Sequence, residues 1–256
     1  MHIVVPIKEV PDLVEELEVN AEGNDLQRDE LKYKLNEWDE QAIEEAVCLK
    51  EAGDATVTVI AVDTGDVDTY LFTALAKGAD RAIKVTGDFP KGCDSHTMAG
   101  ALAAIIPGLE ADLILSGVQA ADDLDGQLPV VLATRLGLPH ISVVSGITLG
   151  SGSATVRQEY SGGMMAELEV TLPAVLGVQA ARQAPRYAAV SKVRQLMKSA
   201  QLEELAGDAA AVDTGIRVRR LFRPSSAGHA EMIDGDAEAQ AQRIWELLNE
   251  RKLVRR

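Results

Sequence analysis

The sequence predicts an α/β protein: a parallel sheet with flanking helices, an added β-hairpin region and a C-terminal helical arm. Three observations predict this fold. Up to about residue 138, short apolar runs alternate with amphipathic helical stretches, which is typical of strand–helix crossovers and hence of a parallel sheet. After Pro139, strand-like runs are separated by Gly-Ser and Gly-Gly turns, as in β-hairpins. Near the C-terminus, residues 237–253 repeat apolar side chains at helical spacing.

The elements of the first half follow from buried runs and from residues that begin or end helices. Asn36 stands where it could cap a helix that Gly53 ends, and Gly78 follows the next helical stretch. Pro129 falls in the first turn of a later helix, where its missing N–H has no intrahelical partner to lose. The predicted strands are 3–7, 55–62, 82–85 and 112–116; the predicted helices are 37–52, 67–77, 96–106 and one from 129; residues 20–35 form a polar excursion.

The second half has a different pattern. Three strand-like runs cover 141–149, 154–160 and 165–170, and 173–178 is predicted to be one more buried strand. Residues 181–205 read as mixed helix and loop, and 207–235 have little periodic pattern. The terminal helix carries Ile244, Leu247 and Leu248 on one stripe. A lone amphipathic helix behind a polar connection docks either on its own domain or on a partner subunit, and the local pattern leaves both open.

Composition excludes several classes of partner. Lys and Arg number 25 against 40 Asp and Glu, for a net charge of −15, which argues against a nucleic-acid backbone or an anionic membrane and favours a protein partner with a basic face. Cys48 and Cys93 form neither a CxxC pair nor a disulfide framework, which indicates a reducing compartment. No apolar run is long enough to span a bilayer, and the N-terminus enters a strand directly. We therefore expect a soluble, cytoplasmic protein.

No metal site, common phosphate motif or catalytic constellation is predicted. The histidines are scattered without ligand spacing, and neither GxGxxG nor GxxxxGK[ST] occurs. The aspartates near residue 123 have no nucleophile or histidine beside them in sequence, so we expect a chain without catalytic residues of its own, not an enzyme.

The most informative segment is the loop 117–129, where a buried strand ends and a helix begins. It contains Asp122, Asp123 and Asp125 between Gly117 and Gly126. At such a junction an open α/β sheet binds nucleotides, and free N–H groups at a helix start can hold a phosphate. The alternative is an acidic connection whose aspartates only cap the helix. The local pattern supports both interpretations about equally.

Several blocks of the sequence, in order and spacing, resemble the β subunit of electron transfer flavoproteins. The blocks are 4–12 (VVPIKEVPD), 35–46 (LNEWDEQAIEEA), 73–82 (TALAKGADRA), 119–123 (QAADD), 162–163 (GG), 172–175 (LPAV) and 185–187 (PRY). The resemblance covers nearly the whole chain to about residue 200.

The resemblance implies a Rossmann-like α/β fold and an electron-carrying heterodimer. A β subunit of this family carries electrons from dehydrogenases, such as acyl-CoA dehydrogenases, to a membrane-linked quinone reductase. The redox-active FAD lies mainly on the α subunit, and the β subunit holds a structural AMP or, in bifurcating relatives, a second FAD. Residues 1–205 would then form an adenine-nucleotide-binding domain, and residues 206–256 an extension that docks on the α subunit.

The resemblance also places the nucleotide. The residues implied to surround it are Pro6, Asn36, Glu37, Trp38, Asp39, Thr64, Gly117, Gln119, Ala120, Asp122, Asp123, Asp125, Gly126, Gln127 and Leu128. Many AMP-holding members have Asn-Gln-Thr where this chain has Gly126-Gln127-Leu128, and an acidic residue at Leu124. Two side-chain partners are thus lost, although backbone N–H groups could still hold the phosphate. AMP is our first expectation, FAD the second and an empty site the third.

Residues 185–198 resemble the segment by which the β subunit recognises partner dehydrogenases. The implied recognition residues are Pro185, Arg186, Tyr187, Val190 and Leu196. Val190 stands where the family often has an anchoring leucine, so either the partner pocket differs or Leu196 anchors instead; the alternative is a surface helix without a partner role. Glu159 matches a carboxylate near the flavin-domain interface.

Two other classes remain as alternatives. One is a stand-alone adenine-nucleotide-binding module of the stress-protein type, which the hairpin region and the C-terminal arm disfavour. The other is a hydrolase or ligase that uses an adenine nucleotide, which the missing catalytic groups disfavour.

Overall fold

The fold is described from a computed structural model. It covers residues 1–123, 127–208, 218–223, 230 and 232–254. Within these residues, nine strands form one sheet in the order β11-β5-β4-β1-β6-β10-β7-β8-β9. The strands are β1 (His2–Ile7), β4 (Thr56–Val62), β5 (Arg81–Thr86), β6 (Leu113–Gly117), β7 (His140–Leu149), β8 (Ser153–Glu159), β9 (Met165–Thr171), β10 (Ala174–Val178) and β11 (Glu203–Ala206). The neighbours from β11 to β7 are parallel, and β7-β8-β9 are antiparallel.

Helices cover both faces of the sheet. In chain order, the helices of the described residues are α1 (Glu37–Ala52), α2 (Val67–Lys77), α3 (Ser95–Ile105), α4 (Leu128–Leu136), α5 (Val190–Ser199) and α6 (Ala237–Glu250). The four that pack on the sheet are α1 to α4. One core cluster joins α1 and α2 to the sheet through side chains such as Ile43 and Leu71, and a second joins α3 and α4 through Leu102 and Leu132. The predicted Rossmann-like α/β fold is therefore confirmed.

Local signals set most of the element ends. Gly53 and Gly78 are the C-caps of α1 and α2, and Pro129 lies in the first turn of α4. Asn36 occupies the N-cap position of α1, but its side chain makes no capping hydrogen bond. The predicted start of this helix is therefore right, but the Asn36 side chain does not cap it; its Nδ2 donates to the carbonyl of Gln119, 83 positions away.

Two pairings lie outside the simple strand–helix pattern. The short strands β2 (Glu9–Pro11) and β3 (Tyr33–Leu35) form a separate antiparallel pair, and β3 is the last part of the polar excursion. β11 lies inside the stretch predicted as mixed helix and loop, and it adds a parallel edge strand beside β5. Its alternation of polar and apolar residues is too short to be told from a loop in the sequence, and only the pairing with β5 shows that it is a strand.

The C-terminal region touches the domain at a few described points. The Leu221 N–H donates to the Gly23 carbonyl, and Arg223 pairs with Glu16. Helix α6 buries no residue and exposes Ile244, Trp245 and Leu248. Among the described residues, no helix is both long and apolar enough to cross a membrane, and no group of side chains has the composition of a metal site.

Candidate functional site

The candidate site lies where the strand order changes direction. The chain proceeds outward from β1 through β4 to β5, and then returns to β6 on the other side of β1. The carboxyl ends of β1 and β6 therefore border a crevice at the topological switch point, the usual ligand position in open α/β sheets. The segments that meet there are residues 8–9, 36–39 and 117–123.

Asp39 holds the two strand ends together. It lies in the first turn of α1, is buried, and accepts the Lys8 N–H at 2.9 Å and the Gly117 N–H at 3.1 Å. A Cβ on Gly117 would lie 2.8 Å from the backbone nitrogen of Asp39, so only glycine permits this approach. Burial raises the pKa of Asp39 to about 7, despite the opposing effect of the hydrogen bonds that it accepts.

Asn36 fixes the start of the loop after β6. Its Nδ2 donates to the Gln119 carbonyl at 2.9 Å, and its Oδ1 is buried without a hydrogen-bond partner in the described part of the protein. The neighbouring Glu37 is exposed and Trp38 is half-buried. Asn36 therefore shapes the loop with one end of its amide and leaves an acceptor available with the other.

Lys8 lies across the crevice from β1 to the loop after β6. Its ammonium is 2.7 Å from Asp122 Oδ1 and 3.2 Å from Asp123 Oδ1, and the three side chains are 8%, 10% and 6% exposed. Burial alone would lower the pKa of Lys8, but the two carboxylates outweigh it and the pKa is raised. The aspartates thus make internal ion pairs, and Gln127, not Asp122 or Asp123, stands at the N-cap position of α4.

Glu9 and Thr64 form a further part of the crevice wall. The Thr64 hydroxyl donates to Glu9 Oε1 at 3.2 Å, and burial raises the pKa of Glu9. Glu9 Oε2 and Ser116 Oγ, like Asn36 Oδ1, are buried and have no hydrogen-bond partner within the described residues. Buried polar atoms are nearly always paired in proteins, so these atoms are suited to bind a polar ligand.

The remaining predicted nucleotide residues lie around this crevice or flank it. Pro6 and Ala120 are buried, Gln119 and Gln127 are exposed, and Leu128 packs in the core. Asp125 and Gly126, and the neighbouring Leu124, lie outside the described residues. Sequence reasoning missed Lys8, Glu9 and Ser116 as site residues. The available signal was positional, because Lys8 and Glu9 directly follow the first buried strand.

A second candidate surface is the segment before and along α5, which side chains of α1 hold in place. Glu44 accepts the Arg186 N–H at 2.8 Å and its guanidinium at 3.0 Å, and Glu45 does the same for Arg182 at 2.9 and 2.7 Å. Glu51, two turns further along α1, also pairs with Arg186. Burial alone would raise the pKa of Glu44, but the hydrogen bonds from Arg186 and Gln183 lower it to about 2.

The outer face of this segment is apolar and basic. Tyr187, Val190 and Met197 are 84%, 55% and 44% exposed, whereas Leu196 packs against α2. Residues 181–200 contain five basic and no acidic side chains: Arg182, Arg186, Lys192, Arg194 and Lys198. Arg194 and Lys198 are exposed and make no ion pair within the part of the chain that is described.

Glu159 lines a cavity of about 490 Å³ at the end of the hairpin region. Arg157, Glu167 and Arg182 contribute charges of both signs to the same cavity, and Met165 contributes an apolar wall. Met165 is 59% exposed, so this end of the sheet presents apolar as well as charged groups.

Known proteins similar to this chain point to one family. The model of the electron transfer flavoprotein domain matches residues 24–210. A beta subunit of an electron transfer flavoprotein from Methylophilus methylotrophus is 35% identical over 98% of this chain and 99% of its own length. Proteins of the same name from Syntrophomonas wolfei and Bacillus subtilis are 34% and 27% identical, over 83% and 99% of this chain and 82% and 100% of theirs.

Sheet order and a polar crevice at the switch point define a Rossmann-like α/β protein. The chain belongs to the electron transfer flavoprotein family. The relatives that it matches over most of their length are beta subunits.

Proposed function

We propose that this chain is the β subunit of a heterodimeric electron transfer flavoprotein and that it binds AMP in the crevice between β1 and β6. The observation that carries the proposal is that Asn36 Oδ1, Ser116 Oγ and Glu9 Oε2 are buried without a partner among the described residues, in a chain of this family. These residues lie at or next to the carboxyl ends of β1 and β6 and at the start of α1. A purine offers both donors and acceptors at its edge, and a ribose offers hydroxyls, so an adenine nucleotide would satisfy them.

Three residues of the crevice have structural roles in this proposal. Asp39 holds β1 and β6 at a fixed separation, Asn36 orients the loop after β6, and Gly117 lets that loop approach α1. Backbone N–H groups near Gln127, at the start of α4, would receive the phosphate. FAD, held mainly by the α subunit, supplies the redox chemistry. This chain supplies scaffold, nucleotide site and docking surface.

The test is purification with a co-expressed α subunit, followed by a visible spectrum and by mass identification of the nucleotides that denaturation releases. We expect a yellow complex with one FAD and one AMP. Two FAD would support the bifurcating alternative, and a colourless chain that binds no α subunit would support the stand-alone module.

We also propose that residues 185–198 dock dehydrogenases, with Val190 as the apolar anchor and Arg194 and Lys198 around it. Leu196 is less suited because it already packs against Phe72 and Ala76.

The double variant R194E/K198E should slow electron transfer from a donor dehydrogenase by about tenfold at low salt and by less at high salt, because basic side chains speed the encounter with an acidic partner and salt screens them. R135E, a reversal at an exposed residue of α4, is the matched control. Equal rates for all three proteins would contradict the docking proposal.

We assign residues 1–205 to the nucleotide-binding domain and 206–256 to an extension that docks on the α subunit. The exposed stripe of α6 supports this division.

Glu159, in the cavity beside Arg182, is proposed to contact the flavin domain. Electrons would pass from dehydrogenases to a membrane-linked quinone reductase. A cytoplasmic location is proposed because Cys48 and Cys93 are free and buried.

A further inference from the structure

Lys8 is a crevice residue whose function the proposed site leaves open. It extends from the end of β1 to Asp122 and Asp123 on the loop after β6, so its ion pairs bridge the two sides of the switch point. The Lys8 N–H is fixed as well, because Asp39 accepts it at 2.9 Å. The side chain therefore starts from a rigid backbone position and ends on the turn that the Asp123 N–H closes with the Ala120 carbonyl.

The charges of this cluster matter for any anionic ligand. Asp122 and Asp123 are adjacent in sequence, nearly buried, and lie on the loop that leads to the proposed phosphate position. Two uncompensated carboxylates there would repel a phosphate strongly, because water screens buried charges poorly. The Lys8 ammonium is the cation that the described residues place against both of them.

We propose that Lys8 is a positioning residue for the nucleotide: it offsets one of the two negative charges of Asp122 and Asp123 and fixes their turn, so that an anionic ligand can bind beside these carboxylates. The inference rests on the proposed nucleotide site. Lys8 acts through Asp122 and Asp123, with which its ammonium already makes ion pairs, and it does not contact the phosphate.

The test compares wild-type complex, K8M, K8R and the triple variant K8M/D122N/D123N, each with its α subunit. Exchange of bound nucleotide against labelled AMP is the main measurement. We expect K8M to exchange at least about tenfold faster than wild type, since truncating one partner of a buried pair leaves the others uncompensated. K8R should restore much of the loss, and the triple variant, which removes all three charges, should return to within about threefold of wild type.

The triple variant separates the possible roles of Lys8. If it exchanges as fast as K8M, then Lys8 binds the phosphate directly or supports the fold, and the inference is overturned. If K8M exchanges like wild type, the inference fails while the nucleotide site stands. A wild-type complex that neither contains nor binds AMP overturns both.

Amide hydrogen exchange gives a readout that needs no nucleotide. We expect faster exchange of the Asp123 N–H in K8M, because the turn loses its ion pairs. K84M is the matched control: Lys84 is 15% exposed and pairs with Asp63, Asp68 and Glu204 rather than with the aspartates of this turn. Unchanged protection of the turn in K8M would contradict the positioning role.

Discussion

At the scale of single residues, the backbone of the crevice is held in place by two side chains that hydrogen-bond to it. Asp39 accepts N–H groups from Lys8 and Gly117, and the Asn36 amide donates to the Gln119 carbonyl. These bonds join segments 31 to 83 positions apart in sequence. The geometry of the site therefore depends on a few residues whose replacement has specific consequences.

The first prediction concerns Gly117. Its replacement by alanine should destabilise the protein by about 1–3 kcal/mol, because the new methyl group meets the backbone of Trp38 and Asp39 at 2.8 Å. G108A is the matched control, since nothing lies within 4 Å of a Cβ there. Urea unfolding measures both, and equal midpoints for the two variants would show that α1 and β6 do not approach so closely.

The second prediction concerns the pH dependence that Asp39 contributes. Its folded pKa of about 7 lies above the ordinary value of 3.8, so its stabilising contribution is full below about 3.8 and is lost as pH rises through 7. The advantage of wild type over D39N in free energy of unfolding should therefore be larger at about pH 5 than at about pH 8. Urea unfolding at both pH values tests this, with D54N as an exposed control. Parallel profiles for wild type and D39N would contradict the raised pKa.

At the scale of elements, α1 performs two tasks on different parts of its surface. Its first turn closes the crevice through Asp39, and Glu44, Glu45 and Glu51 further along hold the segment before α5. The carboxylates fix both backbone and guanidinium groups of that segment, which is why an otherwise irregular stretch has a defined path. A docking surface built on such a support is ordered before its partner arrives, so less entropy is lost on binding.

The third prediction follows from this support. E44Q should lower the free energy of unfolding at neutral pH by about 3 kcal/mol, because it leaves the half-buried Arg186 without its main buried partner. The Glu44 contribution, present above the ordinary pKa of 4.5, is lost as pH falls through about 2, so E44Q should also flatten the acid side of the profile. Urea unfolding from neutral to acid pH measures both effects. E16Q, in an exposed pair with Arg223, should change stability by less than about 1 kcal/mol.

At the scale of the whole molecule, charge and apolar surface are distributed unevenly. The chain has a net charge of −15, yet every charged side chain in residues 181–200 is basic. Helix α6 exposes an apolar stripe that the described part of its own domain leaves uncovered. Two separate surfaces, one basic and one apolar, are therefore available for two partners of different chemistry.

The fourth prediction tests the role of α6. I244D/L248D should abolish or weaken α-subunit binding by at least about a hundredfold, because two apolar contacts are replaced by charges. The melting temperature of the isolated chain should stay nearly unchanged, since neither side chain is buried: Ile244 is 49% exposed and Leu248 36%. Q242D is the matched control on the same helix. Undiminished association of the double variant, measured by size-exclusion chromatography, would show that the α subunit binds elsewhere.

Local sequence determined the elements of the sheet domain. The apolar runs of β1, β4 and β6 and the glycines after α1 and α2 act over a few residues, so periodicity and capping rules located them within one or two positions. The family followed from blocks spaced along the chain. The crevice position could be predicted from the strand that ends at Gly117, because the carboxyl ends of parallel strands bind ligands in such sheets.

Only the tertiary structure decided which distant groups meet. The ion pairs of Lys8 with Asp122 and Asp123 join residues more than a hundred positions apart. The Asn36 amide donates to the Gln119 carbonyl instead of capping its own helix, and β11 is a strand only because it pairs with β5. None of these contacts can be recognised in the local sequence, because the partners are far apart along the chain and each of these polar side chains could equally well be exposed to water. The sequence by itself determined the periodic helices and strands, because hydrophobic periodicity and helix capping act over a few residues. The charge balance of the crevice depends on the tertiary structure, because the fold brings separate loops to one edge of the sheet.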